Sequence, residues 1–357
     1  MWNQRNPERI PQKPQRGPVQ KAMAETAHLV GPGVLRVRNK MPCWEPLDGQ
    51  PLLLHPERLA TLIVHGSADM TAAALRLFWR YGVQLSFLNR WGNRLLGRVS
   101  PPADRAPALA CWQHWAVTDF QFALLQARRI VEAKIRGIQE VAAHLAAHGH
   151  RPLRALAYEL AEDLKRVGAA ASPASLLGHE GAASARWHAA MRQLFPPTLP
   201  YRGRQHHPPP DPVNALLSLG YTLLLTRVEA EIAAVGLDPL VGVYHRPRAG
   251  RPALACDLIE PFRAPLVDQL VLAQVRQGIF RREHFEDSDK GVRLRPDDFR
   301  RFLKAFEDRF AALSSGQSFA VRARRTVEQF AADVRQWAQA HEHPTLNEEF
   351  KPWGAVP

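Results

Sequence analysis

Three separated stretches of the chain carry side chains that can hold a divalent metal. Glu180 lies in Leu176-Leu177-Gly178-His179-Glu180-Gly181-Ala182-Ala183, near the start of a helix predicted over residues 173 to 195. A carboxylate at that place also complements the helix macrodipole without any further role. The small residues around it leave space for a backbone or a substrate, and no obvious basic partner is nearby in sequence. His245 ends the segment VGVYH and opens a loop carrying Arg246, Arg248 and Arg251; a lone histidine is more often a surface or core residue than a ligand. In Asp257-Leu258-Ile259-Glu260 the i, i+3 spacing puts both carboxylates on one side of a helical turn. Arg263, three residues on, offers the plainer alternative of an exposed ion pair. Two or three carboxylates and one imidazole form a mainly hard, oxygen-rich set that suits Mg²⁺ or Mn²⁺ better than a thiolate-preferring metal.

The charge of the chain bears on what such a site would serve. Over 357 residues, 47 Lys and Arg stand against 34 Asp and Glu, a net +13, so a polyanion is the first partner to consider. Bare carboxylates would repel a polyanion drawn in by arginines. A divalent ion inverts that local field and polarises a phosphoryl oxygen. Acidic ligands in a basic protein therefore predict phosphodiester chemistry. The loop Arg246 to Arg251, Arg202 and Arg204, Arg281-Arg282, and Arg322 to Arg325 are candidate phosphate contacts, though a charge run is usually a solvated face.

These residues need a scaffold, and the pattern along the chain predicts an α+β multidomain protein: an N-terminal β-rich domain followed by a larger all-α C-terminal domain. Residues 1–22, with four prolines among basic side chains, read as a flexible basic arm. Residues 23–100 read as a β-rich domain, its segments LRVRN, PLLLHP, LATLIVHG, VQLSFL and NRLLGRVS interrupted by a helix over 71 to 81. Residues 101–107 form a Pro-containing linker. Residues 108–345 are predicted helical, with helices near 108–148, 153–168, 173–195, 212–235, 266–278, 297–313 and 320–341, and 346–357 form a tail. Residues 241–256 read as two short extended segments around the basic loop. His206 and His207 precede three prolines and read as a loop surface.

Several classes lose support. Cys43, Cys111 and Cys256 are too far apart for a CxxC knuckle, and an odd count suits no complete disulfide framework, which fits a reducing compartment. The most apolar run, Ala215 to Leu225, is about half the length of a bilayer crossing. The expected setting is cytoplasmic, with no membrane partner. There is no GxxxxGK[ST], HExxH or GxSxG, and Gly31-Pro32-Gly33 is not followed by the glycine and βαβ context of a dinucleotide site.

LLGHEGAASARW around Glu180, DPVNALLSLGYTLLLTRVEAEI from Asp211 to Ile232, and GVYHRPRAGRPALACDLIEPFRAPLVDQLVL from Gly242 to Leu272 resemble, in order and spacing, the CRISPR adaptation integrase family, CRISPR-associated protein one. HGSADMTAAALRLFWRYGVQLSFLNRWGNRLLGRVSP resembles that family's β-domain signature, so the likeness spans about residues 28 to 280. The resemblance implies that Glu180, His245 and Glu260 are the catalytic metal ligands, with Asp257 an additional or alternative acidic ligand. Asn214 and Tyr221 match positions of the Asp-Pro-x-Asn helix. Trp187-His188 replaces the usual aromatic pair, and His179 stands where an aliphatic residue is common. The implied activity is metal-dependent DNA endonuclease and integrase chemistry: the 3′-hydroxyl of a short DNA fragment attacks a phosphodiester at a CRISPR repeat end, by transesterification. His245 has the alternative role of a proton-transfer group. The implied partners are double-stranded DNA, a second copy in a homodimer, and CRISPR-associated protein two bridging two dimers. The competing readings are a structure-selective nuclease acting on branched DNA and a catalytically idle DNA-binding scaffold.

Overall fold

The computed structural model describes residues 25–100, 108–205, 208–314 and 316–341. The arm at 1–22, the linker at 101–107, His206, His207 and the tail at 346–357 lie outside the described residues. The chain divides into two compact units, residues 1–87 with 97–102, and residues 88–96 with 103–357.

The first unit is β-rich. Its strands are β1 (Glu25–Val30), β2 (Gly33–Arg38), β3 (Met41–Pro46), β4 (Leu52–Leu53), β5 (Leu59–His65), β6 (Asp69–Met70), β7 (Gln84–Leu88) and β8 (Leu95–Val99). They form two four-stranded sheets, ordered β1-β5-β7-β8 and β4-β3-β2-β6. β2 and β3 make a tight hairpin, because Asn39 and Lys40 both take positive φ and reverse the chain in two residues. Helix α1 (Ala72–Arg80) starts where the Thr71 side chain accepts from the Ala74 N–H. The apolar sides of these elements, among them Leu29, Leu35, Trp44, Leu62, Phe78 and Leu85, close one core. β1 lies ahead of the LRVRN segment, and only Leu52 and Leu53 of PLLLHP pair as a strand.

The second unit is helical: α2 (Ala108–Ala116), α3 (Phe120–Ala147), α4 (Leu153–Gly168), α5 (Pro173–Arg192), α6 (Pro212–Val235), α7 (Ala253–Phe262), a π-helical turn (Arg263–Asp268), α8 (Gln269–Arg276), α9 (Pro296–Ala311) and α10 (Phe319–Ala340). The single helix expected over 108–148 is two. Asp119 breaks it by accepting from the N–H groups of Gln121 and Phe122, a side-chain cap that starts α3 afresh. Residues 241–256 also differ from expectation: the basic loop holds only an isolated bridge between Arg248 and Arg251, and α7 begins at Ala253 directly after Pro252. α6, capped by Asp211 and ended by left-handed Gly236, is largely apolar, with most of its side chains buried along its length. No described helix is long and apolar enough to cross a membrane.

α3 packs on α4, α5, α7 and the π-turn, and α6 packs on α7 and α10. The crossing of α3 over the π-turn is close. A Cβ on Gly137 would stand 3.0 Å from the Pro261 carbonyl oxygen and 3.3 Å from Pro265 Cδ. Pro265 has no N–H to offer that carbonyl, so the regular i to i+4 ladder opens there, as π-turns near functional sites commonly do. α3, α5, α6 and α7 thereby bring their side chains to one pocket.

Candidate active site

Asp257 and Glu260 share the inner side of α7, but their surroundings separate their tasks. Asp257 is fully buried. Its Oδ2 accepts from the N–H groups of Val243 (2.8 Å) and Tyr244 (3.1 Å), and its Oδ1 accepts from the His245 N–H (2.8 Å) and pairs with His245 Nδ1 (2.7 Å). One carboxylate thus shapes the loop and fixes the imidazole. With Nδ1–H directed at Asp257, Nε2 carries the free lone pair, and it lies 3.9 Å from Glu260 Oε1.

Glu260 is 4% exposed and meets two cations. Arg263 donates to Oε1 at 2.9 Å, and the Lys134 ammonium lies 2.7 Å from Oε2. Burial opposes ionisation of this carboxyl, but Arg263 and then Lys134 outweigh it and bring its pKa down to about 2. Glu180, from the first half of α5, accepts from Ser184 Oγ at 2.9 Å and ion-pairs with the same Lys134 ammonium. Lys134 therefore bridges the two carboxylates.

Behind them, Asp268 in the π-turn accepts from Trp187 Nε1 at 2.7 Å and from the Tyr221 hydroxyl. The guanidinium groups of Arg263 (4.3 Å) and Arg204 (5.2 Å) both lie over the Tyr221 ring. Arg204 donates to Asn214 Oδ1 and Ser218 Oγ, and Asn214 also donates to the Gly203 carbonyl, which pins the loop that presents Arg204. His188 pairs through Nδ1 with the Tyr201 hydroxyl at 2.8 Å, and burial lowers its imidazole to about 4. A cavity of about 220 Å³ joins these groups, lined among others by Lys134, Glu180, Glu260, Arg263, His188 and Arg204.

Glu180, His245, Asp257, Glu260, Arg263, Arg204, Asn214 and Tyr221 are thus gathered at or directly behind one pocket. Arg202, Arg246 and Arg248 are exposed and Arg251 is half-buried, outside the cavity lining. Among the described residues no three His, Cys, Asp or Glu side chains stand at the mutual spacing of a closed metal cluster; Glu180 and Glu260 meet at Lys134 instead. Lys134 is the residue that sequence reasoning missed. Its signal was a lysine inside the apolar stripe of α3, three residues after Val131 and four before Ile138, both buried.

The sequence model of the family described as CRISPR associated protein Cas1 matches residues 28–308. The chain is 34% identical over 263 residues to CRISPR-associated endonuclease Cas1 3 of Thermus thermophilus, covering 73% of this chain and 77% of that protein. Among solved structures, a Cas1 protein from Thermotoga maritima is similar with a TM-score of 0.77 at 22% identity, covering 87% of this chain and 97% of that one. A casposase bound to integration product is similar with a TM-score of 0.76 at 22% identity, over 88% and 91% of the two chains.

Proposed function

The chain belongs to the CRISPR associated protein Cas1 family, and from that premise we propose that this endonuclease and integrase of CRISPR spacer acquisition breaks and joins phosphodiesters at the pocket of Glu180, His245 and Glu260. The observation that carries the reading is the convergence of three stretches distant in sequence. α5, the 243–245 loop and α7 bring two carboxylates and an imidazole with its Nε2 free to one place.

The residues present fit Mg²⁺ or Mn²⁺. The donors are hard oxygens and one imidazole nitrogen, and the ammonium bridging Glu180 and Glu260 marks where positive charge is compensated. When bound, the metal supplies Lewis-acid polarisation of a phosphoryl oxygen. The protein does the rest. Asp257 is a positioning residue: its oxygens are taken up by the 243–245 backbone and His245 Nδ1, so it serves the imidazole rather than the metal. Arg263 keeps Glu260 ionised and, with Asp268, fixes Tyr221. Lys134 balances the carboxylates, and Arg204 lends positive charge to the cavity wall. Arg246, Arg248 and Arg251 follow His245 directly and hold the DNA backbone without reading its sequence. The 3′-hydroxyl oxygen forms a new bond to phosphorus while the bond to the leaving oxygen breaks, so one phosphodiester replaces another.

The partners we assign are double-stranded DNA as fragment and repeat, a second copy of this chain through the β-rich unit, and the small CRISPR-associated protein two bridging two dimers. Supercoiled plasmid carrying a repeat, incubated with a short duplex, Mn²⁺ and that partner, should give joined products. Cleavage alone would instead mark a structure-selective nuclease, and neither would mark an idle scaffold. Glu180→Ala, His245→Ala and Glu260→Ala should each abolish joining while DNA binding persists; near-normal joining by any two overturns the ligand set.

A further inference from the structure

His188 lies in the same cavity wall as Glu180. Both belong to α5, where Glu180, Ser184 and His188 follow at four-residue steps, so they share one face of the helix, and all three line the cavity. The helical rise puts His188 about 12 Å along the axis from Glu180. One end of this stripe meets the proposed metal ligands, and the other meets what lies two turns away.

The imidazole is set from behind. Tyr201 is 2% exposed, its ring packs edge-on against His188 and Phe195, and its hydroxyl meets His188 Nδ1 at 2.8 Å. The buried hydroxyl has no other partner among the described residues, so the phenol donates and Nδ1 accepts. Burial lowers the imidazole to about 4 and keeps it neutral, which leaves its one ring hydrogen on Nε2. Nε2 has no partner among the described residues and is not closed off, and the imidazole lines the cavity. His188 thus presents a single, uncharged N–H of fixed orientation.

The rest of the wall says what would accept from it. Lys134 and Arg263 are matched by Glu180 and Glu260, whereas Arg204 meets only the neutral oxygens of Gln205, Asn214 and Ser218. Positive charge is left over for an anion. No ring face is open for a base to stack on, since Trp187 is buried and two guanidinium groups lie over Tyr221. A phosphate oxygen fits both facts.

We propose that His188 Nε2–H donates a hydrogen bond to a non-bridging phosphate oxygen of the fragment strand whose end reacts at Glu180, His245 and Glu260, at a linkage inward from that end. The proposal rests on the assignment of this pocket to strand joining. A neutral donor holds the strand two helical turns from the reacting phosphate without disturbing the charge balance of Glu180 and Glu260, and it reads no sequence. Tyr201 is the positioning residue that fixes the donor.

The test uses a short duplex ending in a 3′-dideoxynucleotide, which binds without joining. A single methylphosphonate, which puts a methyl group in place of one phosphate oxygen, is moved linkage by linkage inward from that end, each isomer separately. Affinity is measured for the full chain with Mn²⁺ and the partner protein. His188→Asn places a carbonyl oxygen near the Nδ1 position, still able to accept from Tyr201, and offers no donor at Nε2. It should bind the unmodified duplex roughly 10-fold more weakly, the scale of one hydrogen bond to a charged group. At one inner linkage the methylphosphonate should cost wild type roughly 10-fold more than it costs this variant. His188→Gln, whose amide N–H ends near Nε2, should keep that excess. If His188→Asn does not fold, His188→Phe, which keeps the bulk of the ring, takes its place. Equal costs in wild type and the donor-less variant at every linkage overturn the proposal. So does a His188→Gln variant as uncoupled as His188→Asn, because the imidazole would then act by packing, and so does an excess that follows removal of a base instead of a phosphate oxygen. Wild type that shows the excess but never joins a fragment with a free 3′-hydroxyl refutes the strand-joining assignment and leaves the contact standing; joining without any excess does the reverse.

Discussion

Lys134 offers the sharpest test of how the pocket balances its charge. Lys134→Met keeps most of the aliphatic stem, which packs in the α3 stripe, and removes only the ammonium. The side chains of Lys134, Glu180 and Glu260 are 12%, 19% and 4% exposed, so solvent screens their interaction poorly. Breaking a buried pair from one side costs about 3–5 kcal/mol because a carboxylate is left behind without its counter-charge. Glu260 keeps Arg263 at 2.9 Å and Glu180 keeps Ser184 at 2.9 Å, which places the loss near the lower end, about 3 kcal/mol. For a unit of this size that is a fall in melting temperature of roughly 6–12 °C. Thermal unfolding in EDTA reads it directly. With Mn²⁺ added, the divalent ion replaces the missing charge, so the difference between variant and wild type should narrow to less than half. Calorimetry should also show tighter Mn²⁺ binding by the variant, since no ammonium has to be displaced from the carboxylates. Equal melting in EDTA, or an equal Mn²⁺ stabilisation of both proteins, would refute the argument that ammonium and metal answer the same two carboxylates.

Other consequences concern the support of the site. His188 has an ordinary pKa of 6.5 that burial lowers to about 4 in the folded protein. The folded value is the lower one, so its contribution is complete above pH 6.5 and is lost as the pH falls toward 4, about 3 kcal/mol in all. Denaturant unfolding across that window should show the decline, and His188→Gln should flatten it; an identical profile would mean that the imidazole is not held neutral. Gly242→Ala would place a Cβ 2.5 Å from Asp257 Oδ2 and 2.8 Å from the Ala253 carbonyl carbon. The first turn of α7 cannot yield, so the variant should lose about 1–3 kcal/mol and join strands no better than His245→Ala, with wild-type joining as the refuting result.

The proposed ligands were legible and their charge balance was not, for a physical reason. Glu180, His245 and the Asp257/Glu260 pair announce themselves through residue type and spacing, since donors on one turn or beside a sharp loop are local facts. The division of labour inside that pair is not local. Asp257 and Glu260 are both buried acids on the same side of α7, and only the 243–245 backbone folding over Asp257 makes one an anchor and leaves the other at the pocket. Helix limits failed where a side chain overrode periodicity: Asp119 caps a new helix inside an unbroken apolar pattern, and Pro252 starts α7 in a stretch whose branched residues looked extended. Lys134 was the hardest to see. A lysine on a 28-residue helix is unremarkable until α3 is known to cross the π-turn at Gly137, because that crossing is what carries its ammonium to Glu180 and Glu260. A motif specifies which atoms can hold a cation. The charges that keep those atoms together come from whichever helix packs across them, and in this protein that helix touches none of the motifs in sequence.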